Sequence, residues 1–135
     1  EDAIRDGADE IDMVINQGLA KAGDWEGVLT EIKAVKESCK GRILKVIIEA
    51  CNFTREEKIA LCRVVSMSGA EFIKTSTGFA AGGATVEDVQ LFREHISPDM
   101  RIKAAGGIRT FEQAQAMLEA GADRIGASAL VALAR

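Results

Sequence analysis

At 135 residues the chain is long enough for one domain with a real hydrophobic core. A net charge of −4 supplies no broad basic field, which argues against nucleic acid as a partner. No apolar run approaches the roughly 20 residues of a membrane span, so no membrane partner is expected.

With 4% aromatics and no Tyr, the core must rest on Ile, Val, Leu and Ala. The three cysteines, Cys39, Cys51 and Cys62, lack metal-ligand spacing and read as reduced thiols of a cytoplasmic protein. The chain starts without Met, and Ala3-Ile4 followed by Gly7 resembles the last turn of a helix already under way. An N-terminal truncation is therefore expected.

Short β-branched runs alternate with longer helical patterns. In chain order the predicted strands are Glu10 to Ile15, Ile43 to Ala50, Glu71 to Thr75, Arg101 to Ala105 and Arg124 to Ala127. Between them, apolar residues recur at helical spacing: Val28, Leu29, Ile32 and Val35; then Ile59, Leu61, Cys62 and Val65; then Val86, Val89, Leu91 and Phe92. Thr54-Arg55-Glu56-Glu57 and Thr110-Phe111-Glu112-Gln113 match the capping box, and Thr85-Val86-Glu87-Asp88 is a weaker version of it. Trp25 opens a helix, where hydrophobic packing is the default. His95, the only histidine, falls at a helix C-terminus, where a cation complements the dipole.

A repeat organises these elements. Gly7-Ala8-Asp9-Glu10-Ile11, Gly69-Ala70-Glu71-Phe72-Ile73 and Gly121-Ala122-Asp123-Arg124-Ile125 share the pattern Gly-Ala-acid-x-apolar. The glycine ends a helix in the left-handed region, and the small alanine permits a tight turn into a strand. Regular β-α-β-α order implies a parallel sheet in a single domain spanning residues 1–135. The order suits an open doubly wound sheet or a closed barrel. The repeat and the polar strand ends favour an α/β (β/α)₈ barrel, of which about the last five βα units are present.

In either fold, chemistry gathers at the C-terminal ends of parallel strands. Four ionisable groups lie inside apolar runs: Asp12 in Ile11-Asp12-Met13, Glu49 after Val46-Ile47-Ile48, Lys74 in Phe72-Ile73-Lys74, and Lys103 in Ile102-Lys103-Ala104. A buried charge costs several kcal/mol unless it is paired, so each calls for a reason. An ion pair or a group reaching water would account for Asp12 or Glu49 alone. Lysines on successive strands are harder to dismiss. If Lys74 and Lys103 point inward about 4.8 Å apart, each disfavours charge on the other, and burial pushes the same way. A lysine kept neutral near neutrality is a nucleophile towards a carbonyl. If the two side chains point to opposite faces, that argument fails. Gly106-Gly107 after the Lys103 strand, and Gly126-Ala127-Ser128 after the last one, suit backbone N–H binding of phosphate, to which Ser76 and Gly78 add possible donors.

Phe72-Ile73-Lys74-Thr75-Ser76-Thr77-Gly78-Phe79 resembles the Schiff-base motif of the deoxyribose-phosphate aldolases, the class I aldolases of deoxyribose phosphate catabolism. Similar to that family too are Asp9 through Asn16, Lys45-Val46-Ile47-Ile48-Glu49, Ile102 through Thr110, and Arg124-Ile125-Gly126-Ala127-Ser128, in that order along the chain. The resemblance implies a TIM barrel and reversible cleavage of 2-deoxy-D-ribose 5-phosphate to acetaldehyde and D-glyceraldehyde 3-phosphate. It implies Lys74 as the imine-forming lysine, Lys103 as the residue that lowers its pKa and joins the proton network, and Asp12 acting with water as acid and base. Gly78, Gly106, Gly107, Gly126 and Ser128 would hold the phosphate. No cofactor or metal is implied; the partner is a phosphosugar, and a homo-oligomer is compatible with the resemblance.

Departures are present. Ala105 stands where many members have Ser or Pro, Phe79 replaces a lysine that some use near phosphate, and Ala50-Cys51-Asn52 is looser than the usual Thr-Cys stretch. The competing readings are another lysine aldolase or phosphate-binding barrel enzyme, and an inactive half-barrel fragment.

Overall fold

The computed structural model describes residues 10–76, 83–106, 108 and 110–126. Five parallel strands form one sheet in sequential order: β1 (Glu10–Val14), β2 (Ile43–Ile47), β3 (Phe72–Lys74), β4 (Arg101–Ala105) and β5 (Arg124–Gly126). A short helix α1 (Gln17–Lys21) and helix α2 (Trp25–Ser38) join β1 to β2. Helices α3 (Arg55–Met67), α4 (Val86–His95) and α5 (Phe111–Ala120) follow β2, β3 and β4 in turn.

The helices begin where local chemistry can satisfy their free amides. Thr54 and Thr110 each accept from the amide three residues on, and Glu57 and Gln113 return the bond to the cap amide. Thr85 makes only the first half of this exchange, with the Asp88 amide. Two glycines of the repeat, Gly69 and Gly121, have φ of +88° and +124°, and each separates a helix from the following strand. Gly7 lies outside the described residues.

Alternation along the strands separates two faces. Leu44, Val46, Ile48, Ile73, Ile102 and Ala104 face the helices and join Val28 and Ile32 of α2, Leu61 and Val65 of α3, and Val89 and Phe92 of α4 in one core. Each large side chain fully buried there contributes roughly 1.5–3 kcal/mol. Lys58 and buried Asp88, 2.6 Å apart, tie α3 to α4 beside that core.

The other face is concave. Arg124 of β5 donates to Glu10 of β1 at 2.9 Å, although these strands lie at opposite edges of the sheet. Four flat strand spacings would separate those edges by about 19 Å, beyond the reach of the two side chains. The sheet is therefore curled into part of an α/β barrel with helices outside, as the sequence suggested.

One predicted strand needs correction. β2 ends at Ile47 rather than Ala50, because Glu49 takes φ +51° and ψ +63° and turns the chain into a 3-10 turn at Ala50–Asn52. Its partner strand nonetheless holds this segment, through Ile48 N–H to Lys74 O and Ala50 N–H to Thr75 O. Such a left-handed residue other than glycine costs about 1 kcal/mol or more. Glu49 is buried at this corner.

Candidate active site

Strand register decides which residues meet on the concave face. One row runs Asp12, Lys45, Phe72, Arg101 from β1 to β4. The next runs Val14, Ile47, Lys74, Lys103, Arg124 from β1 to β5. Lys74 and Lys103 are thus direct neighbours on one face, which removes the reading in which they point apart. Lys74 Nζ reaches Asp12 Oδ2 at 3.5 Å, so its head leans across β2 towards β1.

A third lysine enters that the sequence reading passed over. Lys45 is buried, and its ammonium pairs with Glu10 and stands 3.9 Å from Asp12. It occupies the alternate position of an apolar strand, Ile43-Leu44-Lys45-Val46-Ile47, the same signal that singled out Lys74 and Lys103. Below it, the fully buried Phe72 ring carries Arg101 at 4.5 Å and Arg124 at 4.7 Å, with Lys45 at 5.9 Å. Cations over an aromatic face are attracted by its quadrupole, so Phe72 holds positive charge in place without neutralising it.

The electrostatics follow from this crowding. Burial, then the Lys45 and Lys74 charges, hold the Lys103 ammonium below the ordinary lysine range, with Asp12 opposing them. Hydrogen bonds from Lys45 and Arg124 hold the Glu10 carboxyl down at about 2. Within the paired strands, the concave face sets Lys45, Lys74, Lys103, Arg101 and Arg124 against Glu10 and Asp12. It is locally positive in a chain of net charge −4, as an anionic ligand requires.

The ends of β3 and β4 are clamped together just beyond the lysines. Thr75 Oγ1 donates to the Ala105 carbonyl and accepts from the Ala105 amide, each at 3.0 Å, while Ser76 Oγ donates to the same carbonyl at 2.9 Å. Thr75 and Ser76 are both buried, so this clamp fixes the spacing of the strands that carry Lys74 and Lys103.

Of the predicted phosphate residues, Gly106 and Gly126 are described; Gly78, Gly107 and Ser128 lie outside the described residues. Gly106 turns at φ +87°, and its carbonyl accepts from Ala84 N–H at 3.0 Å. At Gly126 a Cβ would stand 2.8 Å from Lys103 Cε, so the absence of a side chain gives the lysine its room. Elsewhere, His95 is the last residue of α4, as expected. Cys62 is buried away from the lysines, and burial, then Asp88, pushes its thiol up to about 12. No helix among the described residues is long and apolar enough to cross a membrane.

Comparison with known proteins adds a second line. The family model for DeoC/LacD family aldolases matches residues 1–133. The chain is 58% identical to a deoxyribose-phosphate aldolase of Thermococcus gammatolerans, covering 93% of this chain and 57% of that one. It is 53% identical to one of Streptococcus equi subsp. zooepidemicus, covering 98% and 60%. The structure of the tetrameric deoxyribose phosphate aldolase of Aeropyrum pernix superposes with a TM-score of 0.85 at 33% identity, covering 95% of this chain and 54% of that one. The chain thus spans about half to three-fifths of the length of the proteins it matches.

Proposed function

This chain belongs to the DeoC/LacD family of aldolases, and on that footing we propose that it carries the catalytic lysine set of a deoxyribose-phosphate aldolase. The reaction is the reversible cleavage of 2-deoxy-D-ribose 5-phosphate to acetaldehyde and D-glyceraldehyde 3-phosphate. The observation that supports this reading most is the register pair Lys74–Lys103 with Asp12 3.5 Å from Lys74.

In this mechanism Lys103, held below its ordinary range, accepts the proton that Lys74 must lose before it can attack. The Lys74 amine adds to the substrate aldehyde carbon, and the carbonyl oxygen leaves as water, giving a protonated imine. Asp12, working through a water molecule, takes the proton of the C3 hydroxyl. The C2–C3 electron pair then moves into the imine as an enamine, and glyceraldehyde 3-phosphate departs. Protonation of the enamine at C2 and addition of water release acetaldehyde and restore the amine. The positive concave face draws in the phosphate end, and Gly78, Gly106, Gly107, Gly126 and Ser128 supply backbone or hydroxyl donors to it.

Incubation with acetaldehyde followed by borohydride tests this directly. Reduction should leave an ethyl group on Lys74, located by peptide mass mapping; an unmodified Lys74 excludes the imine. Self-association is extended to this chain from its tetrameric relative. Sedimentation showing a monomer at every concentration would exclude it.

A further inference from the structure

Lys74 stands at a boundary on the concave face. On the β4 and β5 side its row continues with Lys103 and Arg124; on the β2 and β1 side it continues with Ile47 and Val14. Ile47 is 5% exposed yet lies outside the core between sheet and helices, and Val14 is 43% exposed. Neither is needed to hold a helix. The Lys74 head leans to that side of the sheet, because its contact with Asp12 carries it across β2.

We infer that Ile47 and Val14 form the wall that limits the carbonyl donor, admitting acetaldehyde and disfavouring longer aldehydes and ketones. The inference rests on the Schiff-base reading of Lys74. An imine places the first donor carbon on Nζ. The chain beyond the second carbon carries the phosphate and heads for the cations of β4 and β5. The remaining hydrogens of the two donor carbons then face the aliphatic side. A ketone would put a methyl group in place of the first of these, and propanal in place of the second. Each methyl would meet Ile47 or Val14.

The test uses the full chain with acetaldehyde, propanal and acetone in separate borohydride trapping reactions, each followed by the mass of the Lys74 peptide. The wild type should favour acetaldehyde. Ile47→Ala and Val14→Ala should each raise the propanal and acetone yields relative to acetaldehyde by about tenfold or more, the discrimination one or more methylene-sized contacts supply. Val14→Phe should lower them further. Val14 is half-exposed, so its variants keep the test alive even where Ile47→Ala does not fold. Ratios unchanged in the Val14 variants, and in Ile47→Ala where it folds, with the acetaldehyde adduct intact, overturn the wall alone. Loss of the acetaldehyde adduct from the wild type overturns the Schiff-base reading beneath it.

Discussion

Carboxylates and cations meet in two regions of this sheet, and they are matched in one and unmatched in the other. At the strand starts, Glu71 accepts from Leu44 N–H at 2.8 Å, pairs with Lys36 of α2 at 2.7 Å, and donates its own amide to Leu44 O. Two strands on, Asp123 repeats the arrangement with Ile102 N–H at 2.9 Å, Arg93 of α4 at 2.7 Å, and its amide on Ile102 O. Glu71 and Asp123 each thus lock their own strand to the one before it and to the helix behind. Burial pushes the Glu71 carboxyl up, but the Leu44 amide and Lys36 outweigh it and hold it below its usual range. Among the described residues of the concave face no backbone amide completes such a set, and burial with the Lys45 and Lys74 charges holds the Lys103 ammonium below the ordinary lysine range. The lesson is that ionic groups stabilise this fold where a backbone amide completes the set, and that the groups proposed for chemistry lie where their partners fall short.

The largest test of that contrast removes the crowded lysine. Lys103→Leu should leave circular dichroism unchanged and cut retro-aldol turnover by about 10²-fold or more. Its effect on stability has a definite sign. Because Lys103 titrates lower in the fold than in the unfolded chain, the unfolded state binds more protons in that interval. Wild-type stability should therefore rise as pH rises through it, and this rise should disappear in Lys103→Leu. An unchanged pH–rate profile would remove Lys103 from the proton path.

Gly126→Ala probes the same lysine by crowding. The new methyl, 2.8 Å from Lys103 Cε, must displace the ammonium, and a shift of that order costs up to about 10²-fold in rate. The melting temperature should move little. Normal turnover would mean that the glycine is not there to make room.

The strand starts should behave the other way. Asp123→Ala and Glu71→Ala each leave a strand amide without its acceptor and a basic side chain without its carboxylate, at a cost of about 1–3 kcal/mol in urea titrations. Turnover per folded molecule should hold. A variant that loses turnover but keeps stability would dissolve the division between the regions.

The smallest effect belongs to Glu10. Its carboxyl falls from 4.5 to about 2 in the fold, so its contribution is present above 4.5 and is lost as pH falls towards 2. In Glu10→Gln the acid limb of the stability curve should flatten over that window.

What could be read from the sequence was whatever acts locally. The capping residues Thr54 and Thr110 reach partners three residues away, and β4 was bounded to the residue by its own apolar alternation. The alternation also exposed Asp12, Lys74 and Lys103. Lys45 carried the same signal, but its meaning depends on Glu10 and Asp12 of the adjacent strand, a pairing that register alone creates. The acids of the repeat were visible as a pattern and silent as to purpose, because Leu44 and Ile102 lie on the preceding strand. The left-handed corner at Glu49 ran against its residue type, and nothing in the local pattern marked it.

The bond between Arg124 and Glu10 joins residues 114 apart in sequence. Contacts of such separation close nearly the whole chain and are slow to form compared with a helix turn or a neighbouring strand pair. During synthesis Glu10 leaves the ribosome long before Arg124 exists, and among the described residues its earlier partner is Lys45. The charges around the lysines therefore reach the balance described above only once β5 is added, so that the site matures later than the helices and strand pairs that precede it.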